Sequence, residues 1–265
     1  MTAFIDTHCH LDPEYFPTGP EAPMSRAQQA DVGAFVVIGV GNTLKPAHAA
    51  VALAARLPER VCAAVGVHPH DAVTLDGVYA ELATLAARPE VGAVGEIGLD
   101  YHYDHSPRDV QRQVFARLIA LAREVNKPIV VHTREAAEDT LEILEREGAR
   151  DVGGIIHCFS EDWAFATRAF DLGFDVSFSG IVTFKKTVAI QDVAARAPES
   201  RIHVETDSPY LAPVPFRGKP CEPAYVVHTA KRVAELRGVP VEALAETLHA
   251  NAERRFGRAF PRAPS

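Results

Sequence analysis

Residues 106–133 read SPRDVQRQVFARLIALAREVNKPIVVHT, and within this stretch one hydrophobic period gives way to another. Val110, Val114, Leu118, Leu121 and Val125 recur at three-to-four spacing, which lines one face of a helix. Ser106 before Pro107 reads as an N-cap followed by the first helical residue, and Asn126 and Pro128 mark the stop. PIVVHT, 128–133, then forms a short β-branched run, apolar up to His132, as expected of a strand covered on both faces. A helix leading into a buried strand is half of a βαβ unit. If the pattern recurs, the sheet is parallel.

It recurs in both directions. FIDTHCHL at 4–11, AFVVIGV at 34–40, VCAAVGV at 61–67 and VGAVGEIGL at 91–99 precede it, and GGIIHCF at 153–159, FDVSFSG at 174–180 and IHVETDS at 202–208 follow. Leu141 and Leu144 lie on a helix stopping at Gly148, and Pro240 and Gly257 bracket a last one carrying Leu244 and Leu248. No linker, low-complexity tract or repeat interrupts the alternation. The chain therefore reads as a single α/β domain over 1–265, by strand count a (β/α)8 TIM barrel, with a doubly wound open sheet as the alternative.

Composition narrows the function. Apolar residues at 47% against 23% charged provide material for a core and argue against disorder. A net charge of −8 opposes coating of long nucleic acid, but leaves room for phosphate chemistry at a local site. No basic segment with an apolar run after it opens the chain, and no stretch approaches the roughly 18 apolar residues of a membrane helix, so no membrane partner and a cytoplasmic location are expected. Cys9, Cys62, Cys158 and Cys221 are scattered singly, which suggests neither disulfides nor a zinc knuckle. Cys9 and Cys158 adjoin strand histidines and should face away from them as small packing residues. GVGNTL at 39–44 has Leu44 where a dinucleotide fingerprint needs glycine, and no P-loop occurs, so no nucleotide cofactor is expected.

The polar residues of the strands collect at their C-terminal ends. His8 and His10 end the first strand, Glu96 sits late in the fourth, His132 ends the fifth, His157 lies late in the sixth and Asp207 ends the eighth. His8 and His10, two apart, point to the same side. In a barrel these ends converge on one face, where such folds build active sites. Four imidazoles and two carboxylates buried together without a cation would leave costly desolvated charge. One metal needs three or four of these ligands, and six suggest two divalent ions bridged by a carboxylate.

FIDTHCHLD at 4–12, VGEIGLDY at 94–101, VVHTRE at 130–135, IIHCFS at 155–160 and VETDSPYL at 204–211 resemble, in order, five motifs of the TatD-type metal-dependent hydrolases. The resemblance runs from Phe4 to about Asn251. It implies a TIM barrel of the amidohydrolase type, two divalent metals, and deoxyribonuclease activity on DNA ends. It further implies that one metal is held by His8, His10, Glu96 and Asp207 and the other by Glu96, His132 and His157. GVHPH at 66–70 resembles a segment whose first histidine, here His68, faces substrate. Asp100 and Tyr101 match the fourth-strand motif as well. FRGKPCEPAY at 216–225 resembles a cationic segment in which Arg217 and Lys219 would contact substrate phosphate, although Pro220 and Cys221 stand where arginine and asparagine are usual.

The expected chemistry is attack by a hydroxide bridging the two metals on phosphorus or on a carbonyl carbon. Asp207 is the candidate proton acceptor. Glu205, two residues before Asp207 and on the same strand face by period two, joins Asp207 and Glu96 as a catalytic candidate, orienting the attacking water or a ligand imidazole. His-rich ligation suits Zn, Mn or Ni, with Mg possible through the carboxylates. The expected partner is a DNA end or single-stranded DNA. The alternative is a dinuclear amidohydrolase or esterase acting on a small carbonyl substrate, which would not need a cationic phosphate clamp.

Overall fold

The structure, a computed structural model, describes residues 2–263. The expected domain 1–265 thus includes residue 1 and residues 264–265, which lie outside the described residues. The strands are β1 (Phe4–Cys9), β2 (Val32–Gly39), β3 (Val61–Val65), β4 (Val91–Asp100), β5 (Ile129–Arg134), β6 (Gly154–Ile156), β7 (Phe174–Phe178) and β8 (Ile202–Val204). The helices are α1 (Glu21–Gln29), α2 (Lys45–Arg56), α3 (Leu75–Ala86), α4 (Arg108–Glu124), α5 (Ala137–Arg146), α6 (Trp163–Asp171), α7 (Val188–Arg196), α8 (Val226–Arg237) and α9 (Val241–Phe256).

All eight strands form one sheet in sequence order, each parallel to the next. A parallel bridge between Cys9 and Ser208 brings the last strand back to the first, supported by His10 N donating to Ser208 O at 2.9 Å and Asp207 N to His8 O at 2.9 Å. The sheet is a nearly closed barrel, and the open-sheet alternative falls. Because the strands alternate faces, Phe4, Phe35, Val37, Val61, Val65 and Ile129 pack outward under the helices. Their neighbours of opposite parity, Ile5, Val36, Ala64, Ala93 and Val130, form a second cluster with Phe256 and Phe260 at and beyond the end of α9. Asn251 of α9 donates to Ile202 O at the start of β8. The last helix thus closes the N-terminal end of the barrel.

The sequence boundaries hold for α9, which begins after Pro240 and stops at Gly257, φ +62°. They fail by a turn's entry at α4. Pro107 keeps an extended ψ of 138°, the helix starts at Arg108, and the Ser106 hydroxyl donates to His70 O at 2.8 Å instead of capping. One glycine is obligatory near the site. At Gly98, φ +147°, a Cβ would lie 1.9 Å from His132 O, so only glycine lets β4 pair with β5 here.

Candidate metal centre

β4 continues four residues beyond Glu96, so that side chain rises from mid-strand, while His10, His157 and Asp207 stand just past the ends of β1, β6 and β8. Glu96 is the hub. Its Oε1 lies 2.7 Å from His157 Nε2, 2.8 Å from His132 Nδ1 and 3.4 Å from His68 Nε2, and its Oε2 lies 3.4 Å from His8 Nε2. Asp207 Oδ1 is 3.6 Å from both His8 Nε2 and His10 Nε2. The structure brings together all six side chains assigned to the metals, and sets His68 beside them. Three compact donor groups result, His8–Glu96–His157, His8–His10–Asp207 and His68–Glu96–His132.

Whether these residues suit a cation is decided at His8. It is wholly buried, and neither of its ring nitrogens has a hydrogen-bond partner among the described residues. Burial, aided by the charge of His157, depresses its pKa, so the ring is neutral and one nitrogen carries an unused lone pair. That ring faces two anions. Burial alone would raise Glu96, but His157, His68 and His132 outweigh it and hold the carboxyl well below its usual range. Asp207 is held low in the same way, chiefly through its bond with His10. A neutral imidazole with a free lone pair beside two carboxylates is the donor set of a divalent cation, and the residues fit one.

The surrounding hydrogen bonds decide which nitrogens can ligate. Glu205 Oε1 faces His157 Nδ1 at 3.2 Å, placing a proton there and leaving Nε2 to point at Glu96. Asp100 Oδ2 faces His132 Nε2 at 3.2 Å, which likewise leaves Nδ1 toward Glu96. His68 is arranged the other way. Its Nδ1 accepts from His70 N at 3.2 Å, and burial lowers its pKa to about 4, so the neutral ring carries its proton on Nε2 and aims an N–H at Glu96. Without a cation these carboxylates hold His132 and His157 protonated, with N–H groups toward Glu96, and a cation replacing those protons would meet lone pairs on His132 Nδ1 and His157 Nε2, whereas His68 keeps a donor there.

Glu205 itself is fully buried, also accepts from Cys158 N at 2.7 Å, and does not line the cavity. β8 ends at Val204, and Asp207 takes a left-handed φ of 57°, so the period of two expected to align Glu205 with Asp207 does not persist. The expectation for Cys158 is also corrected. Its φ of 43° beyond the end of β6 breaks the alternation and turns it onto the cavity wall, 3.3 Å from Ser179 Oγ. Cys9 behaves as expected, facing away to Val36 O.

Two supporting acids went unassigned in the sequence. Asp6, which shares parity with His8 in β1, accepts from His8 N at 3.3 Å and from Thr206 N and Oγ1 at 2.9 and 2.5 Å. Burial pushes its carboxyl up to about 8, and it ties β1 to the segment carrying Asp207. Asp100 does more than cap its turn at His102 N and Tyr103 N, because its other oxygen joins His132 to His70 at 2.9 Å.

The centre forms the floor of a cavity of about 650 Å³, walled by Tyr15, Tyr210, Leu211, Tyr103 and Arg134 among others. Arg217 and Lys219 are not part of that wall. The Arg217 guanidinium lies 4.3 Å over the Phe184 ring and the Lys219 ammonium 6.0 Å from the Phe216 ring. Lys185 and Lys186 are exposed in the turn after β7. No helix among the described residues is long and apolar enough to cross a membrane.

A family model described as TatD related DNase matches residues 5–257. The uncharacterized metal-dependent hydrolase YabD of Bacillus subtilis is 41% identical over 256 residues, covering 95% of this chain and 98% of its own. YcfH of Escherichia coli K12, of the same description, is 42% identical over 258 residues, covering 95% of each. Among solved structures, YjjV, a TatD homologue from Escherichia coli K12, superposes with a TM-score of 0.88 at 30% identity, covering 96% of this chain and 98% of that one.

Proposed function

Because this chain belongs to the TatD family of metal-dependent hydrolases, we propose that it holds two divalent ions on its histidine–carboxylate floor and hydrolyses phosphodiester bonds at DNA ends. The observation that carries the metal part is the buried His8 ring, unpartnered at both nitrogens and facing Glu96 and Asp207. His8, His10, Glu96 and Asp207 would hold one ion, and Glu96, His132 and His157 the other. When bound, such ions supply Lewis acidity, lowering the pKa of the attacking water and offsetting charge on the phosphoryl oxygens.

The chain's own groups do the rest. Asp207, ionised and at the cavity floor, accepts the proton of the attacking water. Asp100 and Glu205 hold the outer N–H of His132 and His157, so that with ions bound the inner nitrogens would be the ones left to ligate. His68 points its one N–H toward Glu96 at the cavity floor, where a substrate oxygen that approaches can share it. Tyr15 and Tyr210, edge-on to each other with ring centroids 5.7 Å apart, offer a wall on which a frayed base can stack.

The test is a metal-reconstituted screen of single-stranded DNA, RNA, small phosphoesters and amides, followed by linear against covalently closed circular single-stranded DNA of equal length. We expect cleavage of the linear strand, loss of activity on chelation and return with Zn, Mn, Ni or Mg. Elemental analysis should give about two ions per chain. Equal cutting of the circle refutes end dependence, and turnover of amides alone refutes the phosphodiester reading.

A further inference from the structure

We propose that Arg134 is an anion-binding residue of this cavity, gripping a substrate phosphate beside the metal floor. The inference rests on the phosphodiester reading for the identity of the anion, and on the following geometry for its existence.

Arg134 is the last residue of β5, two positions after His132, so strand alternation turns both side chains to the same side. Its backbone is fixed there by pairing with Asp100 across β4 and by Tyr101 N donating to Arg134 O at 3.0 Å. It is the one Lys or Arg among the described residues lining the cavity, where Asp71, Glu96, Asp100 and Asp207 are the carboxylates. Despite those acids, it forms no ion pair or side-chain hydrogen bond with any described residue. Its sequence neighbour Glu135 is spent on His102 Nδ1 at 2.7 Å. Most other arginines of the chain, such as Arg108 and Arg123, are paired with carboxylates.

What holds the guanidinium is an aromatic face. Its central carbon lies 4.8 Å from the centroid of Tyr103, a ring which is itself stacked on His105 and edge-on to His70. Stacking on a ring leaves the N–H fork of an arginine unspent and limits its rotamers, which suits two-point binding of a phosphate. A carboxylate partner would have consumed that fork. The residues around it thus restrain the side chain without neutralising it, and the restrained cation borders a cavity whose floor would take the scissile phosphodiester. Tyr103 is the positioning residue of this pair.

The experiment uses the full chain, loaded with metal, and reads binding as well as turnover. Fluorescence anisotropy of a labelled single-stranded oligonucleotide across a salt series, competition by inorganic phosphate, and KM and kcat are measured for the parent, Arg134→Ala, Arg134→Lys, Tyr103→Phe and Tyr103→Ala. Removing a charge-assisted contact should weaken oligonucleotide binding roughly 10- to 150-fold in Arg134→Ala, mostly in KM. The log–log salt slope should fall by about 0.7, one single-strand phosphate contact. Phosphate should compete less well. Arg134→Lys, which keeps charge without the fork, should fall between, Tyr103→Phe should match the parent, and Tyr103→Ala should lose part of the affinity. Unchanged affinity and slope in Arg134→Ala while DNA is still cleaved overturns this inference and leaves the proposed function standing. Weakened phosphate and oligonucleotide binding in a chain that cleaves no phosphodiester overturns the proposed function and leaves the anion site standing.

Discussion

Replacing Glu205 by glutamine should weaken metal binding and spare the chemical step. Glu205 Oε1 accepts from Cys158 N at 2.7 Å and faces His157 Nδ1 at 3.2 Å, and Oε2 has no partner among the described residues. Glutamine can keep one oxygen where Oε1 stands, so both donors retain an acceptor, but an ionic one becomes neutral. Charge-assisted bonds contribute about 1.5–3 kcal/mol against about 0.5–1.5 for neutral ones, so roughly 1–1.5 kcal/mol of restraint on His157 is lost. That corresponds to about a 10-fold loss of metal affinity, the lower end of the 10- to 100-fold typical when a group supporting a ligand histidine is changed. Alanine leaves both donors unpartnered where nothing is solvated, and should reach roughly 100-fold. Metal-free protein titrated against a chromogenic chelator measures affinity, and turnover at saturating metal measures the remainder. We expect Glu205→Gln to regain nearly parental kcat once metal is in excess. A kcat that stays orders of magnitude low at full occupancy would refute the positioning role and make Glu205 a proton-transfer group.

Glu96→Ala should lose orders of magnitude more activity than His68→Ala, because Glu96 faces both candidate ion positions whereas His68 only donates into the cavity; comparable steady-state rates for the two would contradict this. Asp175→Asn should destabilise the fold, since the fully buried Asp175 carboxylate meets Arg255 at 2.7 Å, His203 at 3.1 Å, and Arg201 and Arg254 at 3.2 Å. Arg201 and Arg254 are 32% and 45% exposed, so the lower end of the range for breaking a buried pair applies, about 3 kcal/mol or about 6–12 °C in Tm by calorimetry. Burial alone would raise Asp175, but His203 and Arg255 hold it below its unfolded value. Its contribution is therefore present above about pH 4 and lost as pH falls further, and the gap between parent and variant should narrow on acidification; a gap that widens would contradict the assignment.

The fold was readable because each strand is a short apolar run and each helix a clean 3.6-residue period, and these signals are local. Glu96, His132 and His157 were readable as a cluster because parallel strands of a barrel carry their C-terminal ends to one face. What escaped depended on contacts between distant segments or on single backbone torsions. Cys158 alternates away from His157 only if the strand continues, and a left-handed residue there reverses it. Asp6 lies on the parity of His8, yet its partner Thr206 is 200 residues away. Arg134 stood in plain view after His132, but its lack of a carboxylate partner and its seat on Tyr103 exist only in three dimensions.

The plug at the opposite end sets a rule for traffic. With Phe256 and Phe260 packed against Ile5, Val36 and Val130, the described residues give the barrel an entrance and no exit. A polymer chain cannot be threaded through it, and whatever is cut must back out along the path by which it came in. If the substrate is the DNA strand proposed above, the shortened strand must leave, or slide forward in the same opening, before the next bond is presented. For such a strand the blind end separates two outcomes, since release after every cut leaves fragments of every intermediate length together, whereas sliding leaves only full-length strand and short product.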